Sequence, residues 1–265
     1  MSALSEYKSW SIPKANGGFR KITAPNDELK IEQTRIKELL ELIPLHSSAH
    51  GFVFGRNILT NAKAHLSKPY VLNIDIENFF PSISKPLLLN LLNEHHSLSD
   101  NLLSEIEEKC FLHGGLPQGS PSSPVLANLF MSELDLIFAH YAADFNLSYT
   151  RYADDLTFSG SSYLKEQLSE FLDFIDRNLS CYKLKRSKKK TKLMPYYQRQ
   201  LVTGLVVNTD VISIPRFKRD ELFKKFKGRP FKDLNESDIG LLEFVRSVNA
   251  AAYNKIMRGV VNGKD

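Results

Sequence analysis

Asp154 and Asp155 stand side by side in Ser148-Tyr149-Thr150-Arg151-Tyr152-Ala153-Asp154-Asp155-Leu156-Thr157-Phe158-Ser159, where aromatic, β-branched and aliphatic residues roughly alternate with polar ones. That alternation predicts two short strands joined by a tight turn. Asp and small residues suit such turns, which gives Asp-Asp at the tip a purely structural explanation. Two adjacent carboxylates nevertheless repel each other at neutral pH unless solvent or a cation compensates them. A third acid supplies context. Tyr70-Val71-Leu72-Asn73-Ile74-Asp75-Ile76 reads as an apolar strand ending on Asp75, followed by Glu77-Asn78-Phe79-Phe80-Pro81. Pairing of that strand with the hairpin would bring Asp75, Asp154 and Asp155 together. Three hard oxygen donors with open positions suit Mg²⁺, which keeps waters and takes further ligands from substrate phosphates. Two such ions clamp an in-line attack on a phosphoryl group.

The chain that must position these acids has 265 residues, 42% of them hydrophobic. That is enough for a large core, in one large domain or two to three interlocking subdomains. Lys and Arg (35) exceed Asp and Glu (30), a net charge of +5, so the placement of cations matters more than their sum. Cys110 and Cys181 lie far apart without metal-ligand spacing and read as reduced thiols. With no apolar leader and no run able to span a bilayer, the expectation is a soluble, cytoplasmic protein with no membrane partner.

In chain order, residues 13–22 predict two basic strands around an Asn-Gly-Gly turn. Arg20 and Lys21 on it either reach a triphosphate or form a solvated edge. A helix follows from Pro25-Asn26-Asp27 to about Leu42, with Leu29, Ile31, Ile36, Leu39 and Leu40 as its apolar positions and an Asn or Asp cap. A short helix capped near Asn57 or Thr60 places Asn61 and His65 on one face, where a polar surface pair is the plain reading. Pro86 to His96 and Asp100 to Leu112 predict two helices. Residues 114–124 form a rigid loop lean in side chains, which lets a ligand approach the backbone, and Gln118 is its only large polar group. One long helix carrying Val125, Leu129, Phe138 and Tyr141 leads back to the hairpin, and residues 163–180 form another. Seven cations fall within Lys183 to Lys192. They are either a solvated face or phosphate contacts. A second hairpin spans Arg199–Val207 and Val211–Ile214, turning at Asn208-Thr209-Asp210. A basic helix with Lys224 and Lys225 and an amphipathic helix from Ser237 to Val261 close the chain.

Taken together, these segments resemble a reverse transcriptase of the bacterial retron type across nearly the whole chain. Asn73-Ile74-Asp75-Ile76-Glu77-Asn78-Phe79-Phe80 resembles the first catalytic motif of that family and Tyr152-Ala153-Asp154-Asp155 the second. Leu116 to Pro124 resembles its substrate-binding loop. Asn61-Ala62-Lys63-Ala64-His65 fits the NAxxH pattern of retron enzymes, and Val202-Thr203-Gly204 fits their VTG triplet.

The resemblance implies an α+β right-hand polymerase fold. Fingers would be 1–68 and 86–115, the palm 69–85 and 116–208, and a short helical thumb 209–265. It implies two Mg²⁺ ions, replaceable by Mn²⁺, bridged by Asp75 and Asp154, supported by Asp155 and completed by the Ile76 carbonyl. Gln118 and Gly119 would line the nucleotide site, Arg20 and Lys21 would touch the triphosphate, and Phe80 would be the steric gate under the sugar. Val202, Thr203 and Gly204 would grip the primer. Asn61, His65, Lys185, Arg186, Lys188, Lys224 and Lys225 would serve RNA. The implied partners are deoxynucleoside triphosphates, a structured noncoding RNA that is template and primer, its DNA product, and a separate effector protein in antiphage defence. Another bacterial reverse transcriptase, defence-associated or intron-like, is the rival within enzymes. A noncatalytic RNA-binding scaffold is the rival outside them, and three clustered acids beside a polyanion argue against it.

Overall fold

Alternation in Tyr7-Lys8-Ser9-Trp10-Ser11-Ile12 extends the first hairpin beyond the expected 13–22. It consists of β1 (Tyr7–Pro13) and β2 (Phe19–Pro25), paired antiparallel. The structure is a computed structural model that describes residues 6–13, 17–96 and 98–260. Asn16 of the expected turn and Val261 at the expected end of the last helix lie outside the described residues. Helix α1 (Asp27–Leu40) starts where the Asn26 side chain accepts from the Leu29 N–H at 2.9 Å. Its buried stripe is Leu29, Gln33, Ile36 and Leu40, so Ile31 and Leu39, off that stripe, are exposed rather than inward. Buried Gln33 is a three-way tie. Its amide donates to the Lys109 carbonyl (2.6 Å) and the Tyr7 hydroxyl (2.9 Å), and its carbonyl accepts from the Ser120 hydroxyl (2.6 Å). Helix α2 (Ile58–Lys63) begins with a capping box between Asn57 and Thr60.

The acids sit on a four-stranded antiparallel sheet. Its strands are β3 (Tyr70–Asp75), β4 (Ser148–Tyr152), β5 (Asp155–Gly160) and β6 (Lys192–Pro195), in the spatial order β4-β5-β3-β6. Strand β6 occupies the end of the expected charge run. Period-two alternation gives the sheet two faces. Leu72, Ile74, Leu156, Phe158 and Tyr149 enter the main hydrophobic core. That core also takes side chains from α4 (Lys85–His96), α6 (Ser123–Phe130), α7 (Ser132–Asp144) and α9 (Leu168–Cys181). The other helices of this body are α3 (Phe79–Ser82), α5 (Asp100–Lys109) and α8 (Tyr163–Glu166), the last two adding Ile106 and Leu164 to the same core. The expected single helix after Pro124 is two, α6 and α7, meeting at Met131.

The opposite face carries Val71 and Met194 into a second core, with Ala62 of α2 and the C-terminal elements. Those elements are β7 (Leu201–Val202), β8 (Leu205–Val206), α10 (Arg216–Phe226), α11 (Glu236–Val248) and α12 (Ala250–Met257). A tight turn at Thr203-Gly204, where both residues hold positive φ (47° and 82°), which Gly204 permits, joins β7 to β8. The expected pairing around 208–210 is present as well, as an antiparallel bridge between Val206 and Ser213 with both backbone bonds made (2.8 and 3.1 Å). The expected helix from Ser237 breaks at Asn249, whose side chain caps α12 by accepting from the Ala252 N–H at 2.9 Å. No helix among the described residues is long and apolar enough to cross a membrane.

Arg151 is the largest fully buried side chain. Its guanidinium forks onto Asp135 of α7 at 2.8 and 2.6 Å, and donates to Asn128 Oδ1 (2.8 Å) and the Ala153 carbonyl (3.3 Å). A buried charge left without its partner costs about 3–5 kcal/mol. Arg151→Met should therefore lose about that much in urea unfolding, and adding Asp135→Leu should restore a large part of it. Equal losses in the single and double variants would contradict a charge-pair origin.

Candidate active site

Pairing of β3 with β5 sets Asp75 directly opposite Asp155, and Asp154 sits in the turn between β4 and β5. The turn depends on Ala153 at φ 56° and on the close approach of Gly51, where a Cβ would lie 2.5 Å from the Ala153 nitrogen. The Ile76 N–H donates to the Asp154 carbonyl at 3.0 Å, tying the two acidic segments together. Asp75 is buried, while Asp154 and Asp155 open onto a cleft of about 1140 Å³. Arg20, Lys21, Phe52, Phe80, Gln118, Gly119 and Tyr152 also line that cleft. The Thr23 N–H donates to the Gln118 carbonyl at 2.7 Å, docking the 114–124 loop on β2. Gly119 has φ 127°, and a Cβ there would lie 2.9 Å from Ile22 Cγ2. Phe79 goes into the core, whereas Phe80 is half-buried on the cleft wall.

Withdrawal from solvent, then the charges of Asp154 and Asp75, pushes Asp155 up from 3.8 to about 7. Asp154 is raised too, first by burial and then by Asp75. One cation already answers this repulsion: Lys190 Nζ donates to Asp75 Oδ1 at 2.7 Å. The backbone beneath Lys190 is strapped to the site, with Ser187 N–H to the Asp75 carbonyl (2.7 Å) and Glu77 N–H to the Lys185 carbonyl (2.8 Å). Among the described residues no three His, Cys, Asp or Glu side chains close a metal shell by themselves. The donor set of clustered carboxylates open to a cleft fits an ion that keeps water and substrate phosphate as ligands.

Other expected site residues lie elsewhere. Asn61 and His65 are fully buried, not a surface pair, so neither side chain offers RNA a contact surface. The two ring nitrogens of His65 each meet a hydroxyl at 2.7 Å, those of Ser159 on β5 and Thr150 on β4. The Asn61 amide finds no hydrogen-bond partner among the described residues. Val202 is fully buried in the second core, which removes its side chain from primer contact and leaves the exposed turn at Gly204. Arg186 spends its guanidinium on Asp176 (2.8 and 2.7 Å), leaving it unsuited to a phosphate. Lys225 pairs with buried Asp238 at 2.7 Å. Lys185, Lys188 and Lys224 are exposed. Sequence reasoning missed Lys190 inside the charge run, and missed Arg151, Asp135 and Gln33. Only Arg151, charged at an inward position of an alternating strand, gave a signal.

The family model described as "Reverse transcriptase (RNA-dependent DNA polymerase)" matches residues 12–210. The chain belongs to that family. Among its relatives are several retron reverse transcriptases. The chain is 35% identical over 260 residues to the Retron Ec86 reverse transcriptase of Escherichia coli, covering 95% of this chain and 79% of that one. It is 33% identical over 268 residues to the Retron Mx162 reverse transcriptase of Myxococcus xanthus, covering 88% of this chain but 55% of that longer one. Among solved structures, a telomerase from Candida albicans superposes on 99% of this chain and 59% of its own, with TM-score 0.56 and 13% identity. A foamy viral protease-reverse transcriptase superposes on 97% of this chain and 40% of its own, with TM-score 0.54 and 17% identity. These last likenesses establish the polymerase fold.

Two titrations follow, with opposite signs. The folded chain holds the Asp155 proton more tightly than the unfolded chain does. The stability this confers is complete below pH 3.8 and is lost as pH rises to about 7. Burial pushes His65 down from 6.5 to about 3, so its contribution is complete above pH 6.5 and is lost as pH falls toward 3. In metal-free thermal melts across this window, Asp155→Asn should remove the decline toward neutral pH. His65→Gln should remove part of the decline toward acid. Unchanged pH profiles would show that neither group titrates as described.

Proposed function

We propose that this chain is the polymerase of a retron, copying a structured noncoding RNA into RNA-linked single-stranded DNA in antiphage defence. The observation that carries the polymerase reading is the Asp75–Asp155 register pair, with Asp154 beside it at the floor of a cleft. Residues 1–68 and 86–115 are assigned to fingers, 69–85 and 116–208 to palm, and 209–265 to thumb. Asp75, Asp154, Asp155 and the Ile76 carbonyl would hold two Mg²⁺ ions, or Mn²⁺ in their place. When bound, such ions stabilise the attacking and leaving oxygens of an in-line displacement at the α-phosphate.

The chain's own residues do the rest. Arg20 and Lys21, on the cleft wall, meet the triphosphate, and the Gln118-Gly119 backbone lets the nucleotide approach closely. Lys190 keeps the Asp75 carboxylate oriented while the site is empty of substrate. Thr203-Gly204 is the exposed part of the primer grip, and Lys185, Lys188 and Lys224 meet RNA phosphates. The noncoding RNA, the priming guanosine 2′-hydroxyl and a separate toxic effector follow from the retron likeness.

Asp154→Asn keeps the turn but removes a metal-neutralising charge. DNA synthesis on an annealed RNA template and DNA primer should collapse while RNA binding is retained. Synthesis at the parent rate would overturn the assignment of the acids.

Phe80 supplies a second measurement. Its half-buried ring packs on the edge of the main core and turns toward the cleft, whereas Phe79 is buried. Phe80→Val should raise ribonucleotide incorporation relative to deoxynucleotide, with a smaller fall in melting temperature than Phe79→Val. A well-folded variant with unaltered sugar discrimination would remove the gate from this position.

A further inference from the structure

We propose that Tyr196 and Tyr197, flanked by Arg199 and Lys68, form a stacking platform for unpaired RNA bases at the end of the sheet remote from the acids. The polymerase reading supplies only the expectation that RNA is present; the platform itself is argued from the β6–β7 link. Strand β6 pairs Pro195 with Tyr70, at the opposite end of β3 from Asp75. Five residue steps along a strand separate the two ends by about 17 Å. A ligand on the link is therefore outside the polymerising cleft, whose lining includes none of these residues.

The link is held rigidly. The Tyr196 N–H donates to the Pro69 carbonyl at 2.8 Å and the Gln198 N–H to the Pro195 carbonyl at 2.9 Å. The Asn208 amide donates to the carbonyls of Tyr196 (2.9 Å) and Gln198 (2.6 Å). Buried Gln200 donates to the carbonyls of Lys68 (2.9 Å) and Met194 (3.0 Å). This pinned backbone nevertheless holds both rings out to solvent, 67% and 72% exposed. They stand edge to face, centroids 5.6 Å apart, outside both hydrophobic cores. Neither hydroxyl has a hydrogen-bond partner among the described residues. Packing explains the backbone but not the rings.

Charge selects the ligand class. Arg199 is exposed and Lys68 partly so, and neither has an ion-pair partner among the described residues. Arg199 follows Tyr197 by two residues on the same link, and the Lys68-Pro69 backbone is bonded to that link; cations on one surface with aromatic rings suit phosphate and base together. The bases must be unpaired, since a duplex hides the faces on which a ring stacks. An apolar protein surface would need a contiguous greasy groove, and two polar-tipped rings do not supply one.

The test uses the full chain with its cleft occupied by an annealed RNA template and DNA primer. The probes are an RNA hairpin with a single-stranded loop and a blunt RNA duplex of the same length. The Tyr196→Ala/Tyr197→Ala variant should bind the hairpin more weakly by about 5- to 150-fold for each base stacked. Its duplex binding, melting temperature and primer extension should match the parent. Tyr196→Phe/Tyr197→Phe should keep the affinity, because the ring faces remain. Arg199→Gln should lower the slope of log K against log salt by about 0.7, a change the Tyr variants should not produce. Parent-like hairpin affinity in the double Ala variant overturns the proposal, as does equal weakening of hairpin and duplex. Loss of a co-purifying protein with hairpin affinity intact overturns it in favour of a protein surface. Failure of the parent chain to extend the primer would count against the polymerase reading alone, and the hairpin comparison would still decide the platform.

Discussion

The antiparallel pairing of β3 with β5 in a single register is the constraint on which the rest depends. Side chains along a strand alternate faces, so a slip of one residue would exchange Leu72 and Ile74 for Asn73 and Asp75. Asp75 would then enter the apolar core, and Leu72 and Ile74 would leave it for the opposite face. Burial of the apolar row against α6, α7 and α9 opposes that slip from one side. The partner strand is held in turn: His65 spans Thr150 on β4 and Ser159 on β5, which ties the two strands of the hairpin in their own register. The Arg151–Asp135 fork then fixes that hairpin to α7. Apolar burial thus sets the β3–β5 register, and a neutral hydrogen-bonded ring and a buried ion pair hold the hairpin against which β3 pairs.

Bringing three carboxylates together at that register raises Asp154 and Asp155, first through burial and then through mutual repulsion. The segment from Lys185 to Lys190 is the fold's answer to it. Its backbone is bonded on both sides of Ile76, and its last ammonium reaches Asp75. A run of cations that composition alone presents as a uniform patch therefore divides by role. Lys190 faces the acids, Arg186 is spent on Asp176, and Lys185 and Lys188 remain open to solvent. The strap fixes the backbone beneath Lys190 and so places its ammonium within reach of Asp75.

This division shows what a linear reading can and cannot reach. The hairpin, the Asp75 strand and the lean loop were legible because each is written locally, in alternation or in Gly and Pro content. The meeting of the three acids followed from one assumed strand pairing. Gln33, Asp135 and the partners of Arg151 were not legible, because a polar side chain on a helix looks the same whether water or a buried carbonyl satisfies it. Asn61, His65 and Val202 failed for the complementary reason. Their short motifs mark a place in the family, and a motif carries no information about which way its side chains point.

Burial gives the Asn61–His65 segment a different physical meaning from a surface motif. Helix α2 puts Ala62 into the second core, and the segment just beyond it puts His65 under β4 and β5. At its other end the Ile58 carbonyl accepts from the Thr203 hydroxyl at 3.3 Å, so the same helix touches the Thr203-Gly204 turn. One short element therefore joins the catalytic hairpin to the turn assigned to the primer. Protein interiors are close-packed, so a displacement at either end is resisted rather than absorbed. The spacing between the acids and the Thr203-Gly204 turn is held by this strut together with the sheet, and burial keeps the ring of the strut uncharged near neutrality.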